Sequence, residues 1–400
     1  MVIETESGGP GPSPEIALLL RCVAADANGP SPEEFTRCAA AVADWAKVFD
    51  IAAKHTITSL VCRALCRFPP GVVPRDILDQ FRVAAAEIAV RALRLTSDLV
   101  AIVHELEIGD VEALPVKGPT LAALVYGDLS LRAYEDLDLL VHPWDLDRAT
   151  SALTALGYRF RDALSEHQRE TLTTTGYHVG FEHPDSGTVV ELHWLLNHKT
   201  LAHRDLERRW WLHTQSICLG GATMHTLAPE HLLLYLCMHG GKHSWARLSW
   251  LCDLRQTLKC FPNADWSSIW RAAEENGASR MVSTGLALVK ELLDGAALAS
   301  TPFSGRLPDP AATRLAATIG DRLLRSPDEV IGVDFVSQLR FRERFRDRAR
   351  YAAHILTAPH PADVSLLALP PLMRGAYYIF RPARLVWKHI LHRAHHVGAR

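Results

Sequence analysis

LPVKGPTLAALVYGDLSLRAYEDLDLLV, residues 114–141, changes character twice in a short space, and the rest of the chain is read outward from it. With Ala113 it opens as a brief apolar run ending at Gly118, the pattern of a strand running into a tight turn. PTLAALVYG then predicts a compact helix, with Pro119 suited to its first turn and Gly127 to its C-terminal stop. DLDLLV, residues 136–141, alternates and predicts a second strand. Alternate side chains of a strand share a face, so Asp136 and Asp138 project together while Leu137, Leu139 and Val141 turn into a core.

Downstream, PWDLDRATSALTALGY predicts a helix capped by Asp145, with Leu146, Ala149, Leu153 and Leu156 on its apolar face and Gly157 after it. YHVGFEH and TVVELHWLL flank the turn PDSG, residues 184–187, and predict an antiparallel hairpin. A second hairpin is expected at Gly220-Gly221. On both sides of this segment the apolar residues recur at helical steps: upstream in three runs broken at NGPSP and FPPGVVP, downstream in one run from Glu230 to Lys259 and then to Leu293 and beyond. The expectation is an α+β chain with a small mixed sheet flanked by helices. Its division is a disordered leader over 1–14, a helical region over 15–107, a core over 108–227 and a helical domain over 228–400.

Two carboxylates on one strand face repel, and a divalent cation removes the conflict. Glu191, alternating with Val190 and Leu192, is a third oxygen ligand if its strand lies beside the first; its face also holds Val189 and His193. Three such acids can hold two ions about 3.5 to 4 Å apart, the arrangement that stabilises the attacking and leaving oxygens of a phosphoryl displacement. Asp136, Asp138 and Glu191 are therefore the candidate catalytic and metal residues, with Mg2+ or Mn2+ as the ion. Lys117 and the Gly118 turn are candidates to hold a triphosphate, joined by Thr120 and Arg132. A lone DxD is also common on solvated strand edges, and Glu191 could equally pair with His193.

HGGKH, residues 239–243, has the histidine spacing of a zinc protease but lacks its glutamate, so that reading fails. Lys242 and His243 remain candidate substrate contacts, and His239 is as well suited to helix packing.

In combination, LPVKGPTLAALVYGDLSLRAYEDLDLLV, ALGYRF, VVELHWLL and LLLYLCMHGGKHSWARLSWLCDL resemble the uncharacterised bacterial nucleotidyltransferase family of the DNA polymerase β-like superfamily, and RPARL at 381–385 fits it too. The resemblance covers most of the chain. It implies a mixed sheet with helices on one side, metal-bound acids at Asp136, Asp138 and Glu191, and transfer of a nucleoside monophosphate from an NTP such as ATP. The superfamily usually has Gly-Gly or Gly-Ser at the phosphate turn; Gly118-Pro119 stands here instead, and proline donates no N–H.

The acceptor is expected to be the hydroxyl of a small molecule, peptide or protein. RNA fits less well, because Lys+Arg 43 against Asp+Glu 45 leaves no general basic field. Two other classes compete: a DxD glycosyltransferase, and a nucleotidyltransferase-like protein that binds without turnover. The eight cysteines form no CxxC pair and read as reduced core thiols. No run reaches the ~18–20 apolar residues of a membrane span, so a soluble cytoplasmic protein is expected. The basic segment 381–400 is expected to dock on its own domain.

Overall fold

Asp136–Val141 (β2) and Val189–His193 (β5) pair in parallel at the centre of a five-stranded mixed sheet. Ala113–Pro115 (β1) lies antiparallel on the outer side of β2, while His178–Glu182 (β4) and Arg159–Phe160 (β3) continue the sheet beyond β5. The order is thus β1-β2-β5-β4-β3. The computed structural model describes residues 11–24, 32–161, 176–197, 204–293, 309–325, 335–358 and part of 363–387. The first ten residues of the expected leader and nearly all of the basic tail after 385 lie outside the described residues.

The alternation read in DLDLLV divides the sheet into two faces. Leu137, Leu139, Val141, Phe181, Val190 and Leu192 pack against Leu95, Leu99, Ile102 and Leu106 of the helix Arg75–Ile108 and against Ala149 and Leu153 of the helix Leu146–Ala155. Each fully buried leucine on this face contributes roughly 2–3 kcal/mol of apolar transfer energy. The other face carries Asp136, Asp138, Leu140, Glu191 and His193. There Leu140, with Leu114 and Val116, joins a second core built by helices from both ends of the chain, including Leu18, Ile51, Phe81, Leu234, Leu254 and Leu286. The acids therefore look toward the helical half of the molecule.

The long helix Arg75–Ile108 belongs to both cores, contributing Ile77 and Phe81 to one and Ala92 to Leu106 to the other. Helices distant in sequence are also tied by polar contacts: Thr56 Oγ1 donates to Ser249 Oγ at 2.7 Å, and Arg255 Nη2 to the Ala24 carbonyl at 2.7 Å. The hairpin of Thr214–Leu219 (β6) and Ala222–Leu227 (β7) forms a separate two-stranded sheet turning on Gly220-Gly221, as expected. Thr226 Oγ1 docks it by donating to the Pro115 carbonyl at 2.6 Å.

Three local expectations change. The run 35–55 is two helices, because Asp44 accepts from the Lys47 N–H at 3.0 Å and starts a new helix at Trp45. Asp145 does not cap: it ends a 3-10 turn, Pro143–Asp145, and its carboxylate bonds Arg148 instead. The run 230–259 splits into Pro229–Lys242 and Leu248–Cys260, with Ser244 and Trp245 in left-handed backbone between them at φ +53° and +50°.

That break explains the two glycines of HGGKH. A Cβ at Gly240 would lie 2.5 Å from the Trp245 ring, one at Gly285 also 2.5 Å from it, and one at Gly241 2.7 Å from Met281 Cγ. The indole is slotted between two helices that approach closely only because these positions lack side chains. Gly240→Ala is expected to destabilise the protein by about 1–3 kcal/mol in urea unfolding, since the rigid ring has nowhere to move.

Candidate active site

Register places the acids. Asp138 lies directly across from Glu191 on the adjacent parallel strand, and Asp136 across from Val189, so all three acids share one face as the sequence spacing requires. The same parity brings His193 to that face. Its Nε2 lies 3.1 Å from Asp138 Oδ1 and 3.2 Å from Glu191 Oε2, bridging the two carboxylates. Lys117, on the turn after β1, reaches the other oxygen of Asp138 at 3.0 Å. The Asp138 side chain is 4% exposed and that of Glu191 29%, so Glu191 is the more accessible of the two.

These contacts set the charge states. Burial alone would raise the Asp138 carboxyl, but Lys117 and His193 overcome it and hold that group well below the usual carboxylate range. Lys117 is likewise held charged by Asp138 against the cost of its burial. A hydrogen bond from His193 lowers Glu191. Asp136 is the exception: burial and the neighbouring Asp138 charge push it up to about 6 despite Lys117. No hydrogen bond to its carboxyl occurs among the described residues. A half-buried acid beside two others, lacking a donor, is what an oxygen-ligated cation would relieve. Asp138, Glu191 and His193 already bring one ligand atom each to within 4.8 Å of one another. The residues present fit a divalent ion.

The turn at Gly118 is as tight as expected. Its φ is +57°, so glycine serves the left-handed backbone of the turn. The helix that follows is one α turn, Gly118–Leu121, continuing as a π turn, Ala122–Tyr126. Thr120 is fully buried and donates to the Lys117 carbonyl at 2.8 Å, which steadies the turn.

Arg132 sits deeper. Its Nε lies 3.1 and 3.0 Å from the two oxygens of Asp253, which also accepts from the Tyr126 hydroxyl at 2.9 Å. This buried cluster joins the lead-in to β2 with the helix Leu248–Cys260. Arg132 Nη1 is buried without a partner among the described residues.

Lys242 donates to the Tyr177 hydroxyl at 2.9 Å. His243 packs against His239 and Trp250, and burial, with Lys242 and Lys117 adding, pushes it down to about 3; burial chiefly keeps His239 neutral too. Tyr235 lies beneath Lys117, with Nζ 6.0 Å from the ring centroid. Lys242 and Lys117 thus place positive charge beside the neutral imidazoles of His239 and His243. His193 was legible from the parity of ELH. Tyr126, Tyr177 and Tyr235 carried no sequence signal, since each reaches the site across a long-range contact.

A strand-turn-helix-strand with paired aspartates is completed by a glutamate on the parallel neighbour. The family described as an uncharacterised nucleotidyltransferase matches residues 41–294, which include every residue of this site. The chain belongs to that family. Among solved structures, the chain is similar to an antigenic nucleotidyltransferase-like protein from Paracoccidioides brasiliensis, at 15% identity over 54% of this chain and 92% of that one, with a TM-score of 0.32. No curated protein matches. Among the described residues no helix is long and apolar enough to cross a membrane.

Beside the site, Glu207 accepts from the Leu196 N–H at 3.4 Å, and burial pushes its carboxyl up to about 7. The folded state therefore holds this proton more tightly than the unfolded chain, and Glu207 removes stability as pH rises from about 4.5 through 7. Glu207→Gln is expected to melt with wild type at pH ~5 and several degrees above it at pH ~8. Parallel melting curves at both pH values would contradict the assignment.

Proposed function

We propose that this protein transfers a nucleoside monophosphate from an NTP, with ATP the first to try, to a hydroxyl of a small-molecule, peptide or protein acceptor, releasing pyrophosphate. The observation that carries it is the opposition of Asp138 and Glu191 across β2 and β5, with Asp136 on the same face and Lys117 against Asp138. Asp136, Asp138 and Glu191 would hold Mg2+ or Mn2+, which when bound neutralises the triphosphate and makes the acceptor hydroxyl more acidic. Lys117 keeps Asp138 ionised and adds a fixed charge beside the Gly118 turn. Arg132, anchored by Asp253, directs its unpartnered Nη1 to a phosphate oxygen, and Thr120 holds the turn that approaches it. Glu191, more exposed than Asp138, takes the acceptor proton. Lys242 and His243 line the acceptor side.

Pyrophosphate release and the mass gained by candidate acceptors, measured with each of the four NTPs and with Mg2+ or Mn2+, test this reading. Nucleotide binding without pyrophosphate from any NTP would reject it.

One observation favours a second reading, a family member that binds nucleotide without turnover: both Asp138 oxygens are already engaged, by Lys117 and His193. In that case binding is independent of metal. The glycosyltransferase alternative needs an upstream strand-rich nucleotide domain, whereas the described residues from 14 to 108 are helical.

A further inference from the structure

His193 meets an acid on each of the paired strands. Among the described residues it belongs to the one set of three side chains whose metal-binding atoms converge, with Asp138 and Glu191; Asp136 is outside that set. Two residues after Glu191 on the same strand, its ring enters the site from the sheet itself, the most rigid part of the fold. Its ring stacks on His178 with centroids 5.1 Å apart and 26° between planes, and Tyr177 lies 6.1 Å away. Its side chain is 6% exposed, so its Nε2 lies between the two carboxylates and out of bulk water.

A site of two carboxylates and one imidazole differs chemically from one of three carboxylates. Mg2+ prefers oxygen and its own water, whereas imidazole nitrogen favours the borderline divalent transition metals. We propose that an ion beside Glu191 is bound by Asp138, Glu191 and His193 Nε2 together, so that the site selects a transition-metal dication of the Mn2+ class over Mg2+. This deepens the nucleotidyl-transfer reading and rests on it for the presence of an ion. It accounts for one buried imidazole meeting two acids at nearly equal distances.

The test uses the full-length, nucleotide-free protein. Calorimetric titrations with Mn2+ and with Mg2+ compare affinities, and pulsed electron paramagnetic resonance of the Mn2+-loaded sample reads directly bonded imidazole nitrogen. The expected result is Mn2+ bound at least ~10-fold tighter than Mg2+, with a nitrogen coupling. His193→Gln removes the coupling and most of the preference. His178→Gln, which removes the neighbouring ring 4.0 Å from Glu191, keeps both. Should His193→Gln fail to fold, the coupling in wild type and in His178→Gln decides alone. Equal affinities without nitrogen coupling would overturn the imidazole ligand and leave a carboxylate-only site, with nucleotidyl transfer intact. No binding of either ion by wild type would overturn both readings.

Discussion

Asp138→Asn is expected to lower pyrophosphate release on the order of 10^3-fold, the scale on which removing a charge that organises a phosphoryl-transfer site is felt. No other acid of the set is engaged on both oxygens, by Lys117 at 3.0 Å and His193 at 3.1 Å. The amide keeps the shape and removes the charge. It also leaves Lys117 facing a neutral group in a site where its side chain is only 15% exposed, and an unpaired buried charge costs about 3–5 kcal/mol. Activity and stability must therefore be separated. Adding Lys117→Met to Asp138→Asn should recover most of the stability in urea unfolding and none of the activity. Activity that returned with stability would show that Asp138 is a structural anchor. Retained activity in Asp138→Asn would dismiss the catalytic reading of the acids.

Arg132→Met should be the most destabilising single change away from the acids, by about 3–5 kcal/mol, because it strands Asp253, whose side chain is 2% exposed. Adding Asp253→Leu should recover most of that loss, since the cost lies in the unpaired charge rather than in the missing pair. Denaturant unfolding of the two single variants and the double variant measures the coupling. Additive losses would mean that the Arg132–Asp253 contact carries little energy. The double variant should still release pyrophosphate poorly, because the pair holds the segment entering β2 against the helix Leu248–Cys260 and so sets where Asp136 begins.

The strand face of Asp136 and Asp138, the Gly118 turn and the PDSG hairpin were all legible in the chain. Each rests on short-range rules: a period of two along a strand, and backbone angles that glycine adopts freely. Helix boundaries were less so. Asp44 reads as one more polar residue in a helical run until its side chain is seen on the Lys47 N–H, and Asp145 looks like a cap until Arg148 takes its carboxylate. The two glycines of HGGKH gave no hint of Trp245, because the ring fills their space from beyond a left-handed break.

By itself the sequence determined that two aspartates share a strand face, that a glutamate and a histidine share another, and that a glycine turn precedes the first, because strand periodicity is local and strict. Only the tertiary structure decided that these two strands are parallel neighbours in a register that sets Asp138 against Glu191, that Lys117 and His193 spend themselves on Asp138, and that Arg132 is held by Asp253 from 121 residues away. Such pairings depend on which faces must be buried together. That is a property of the assembled cores, and no window of sequence contains it.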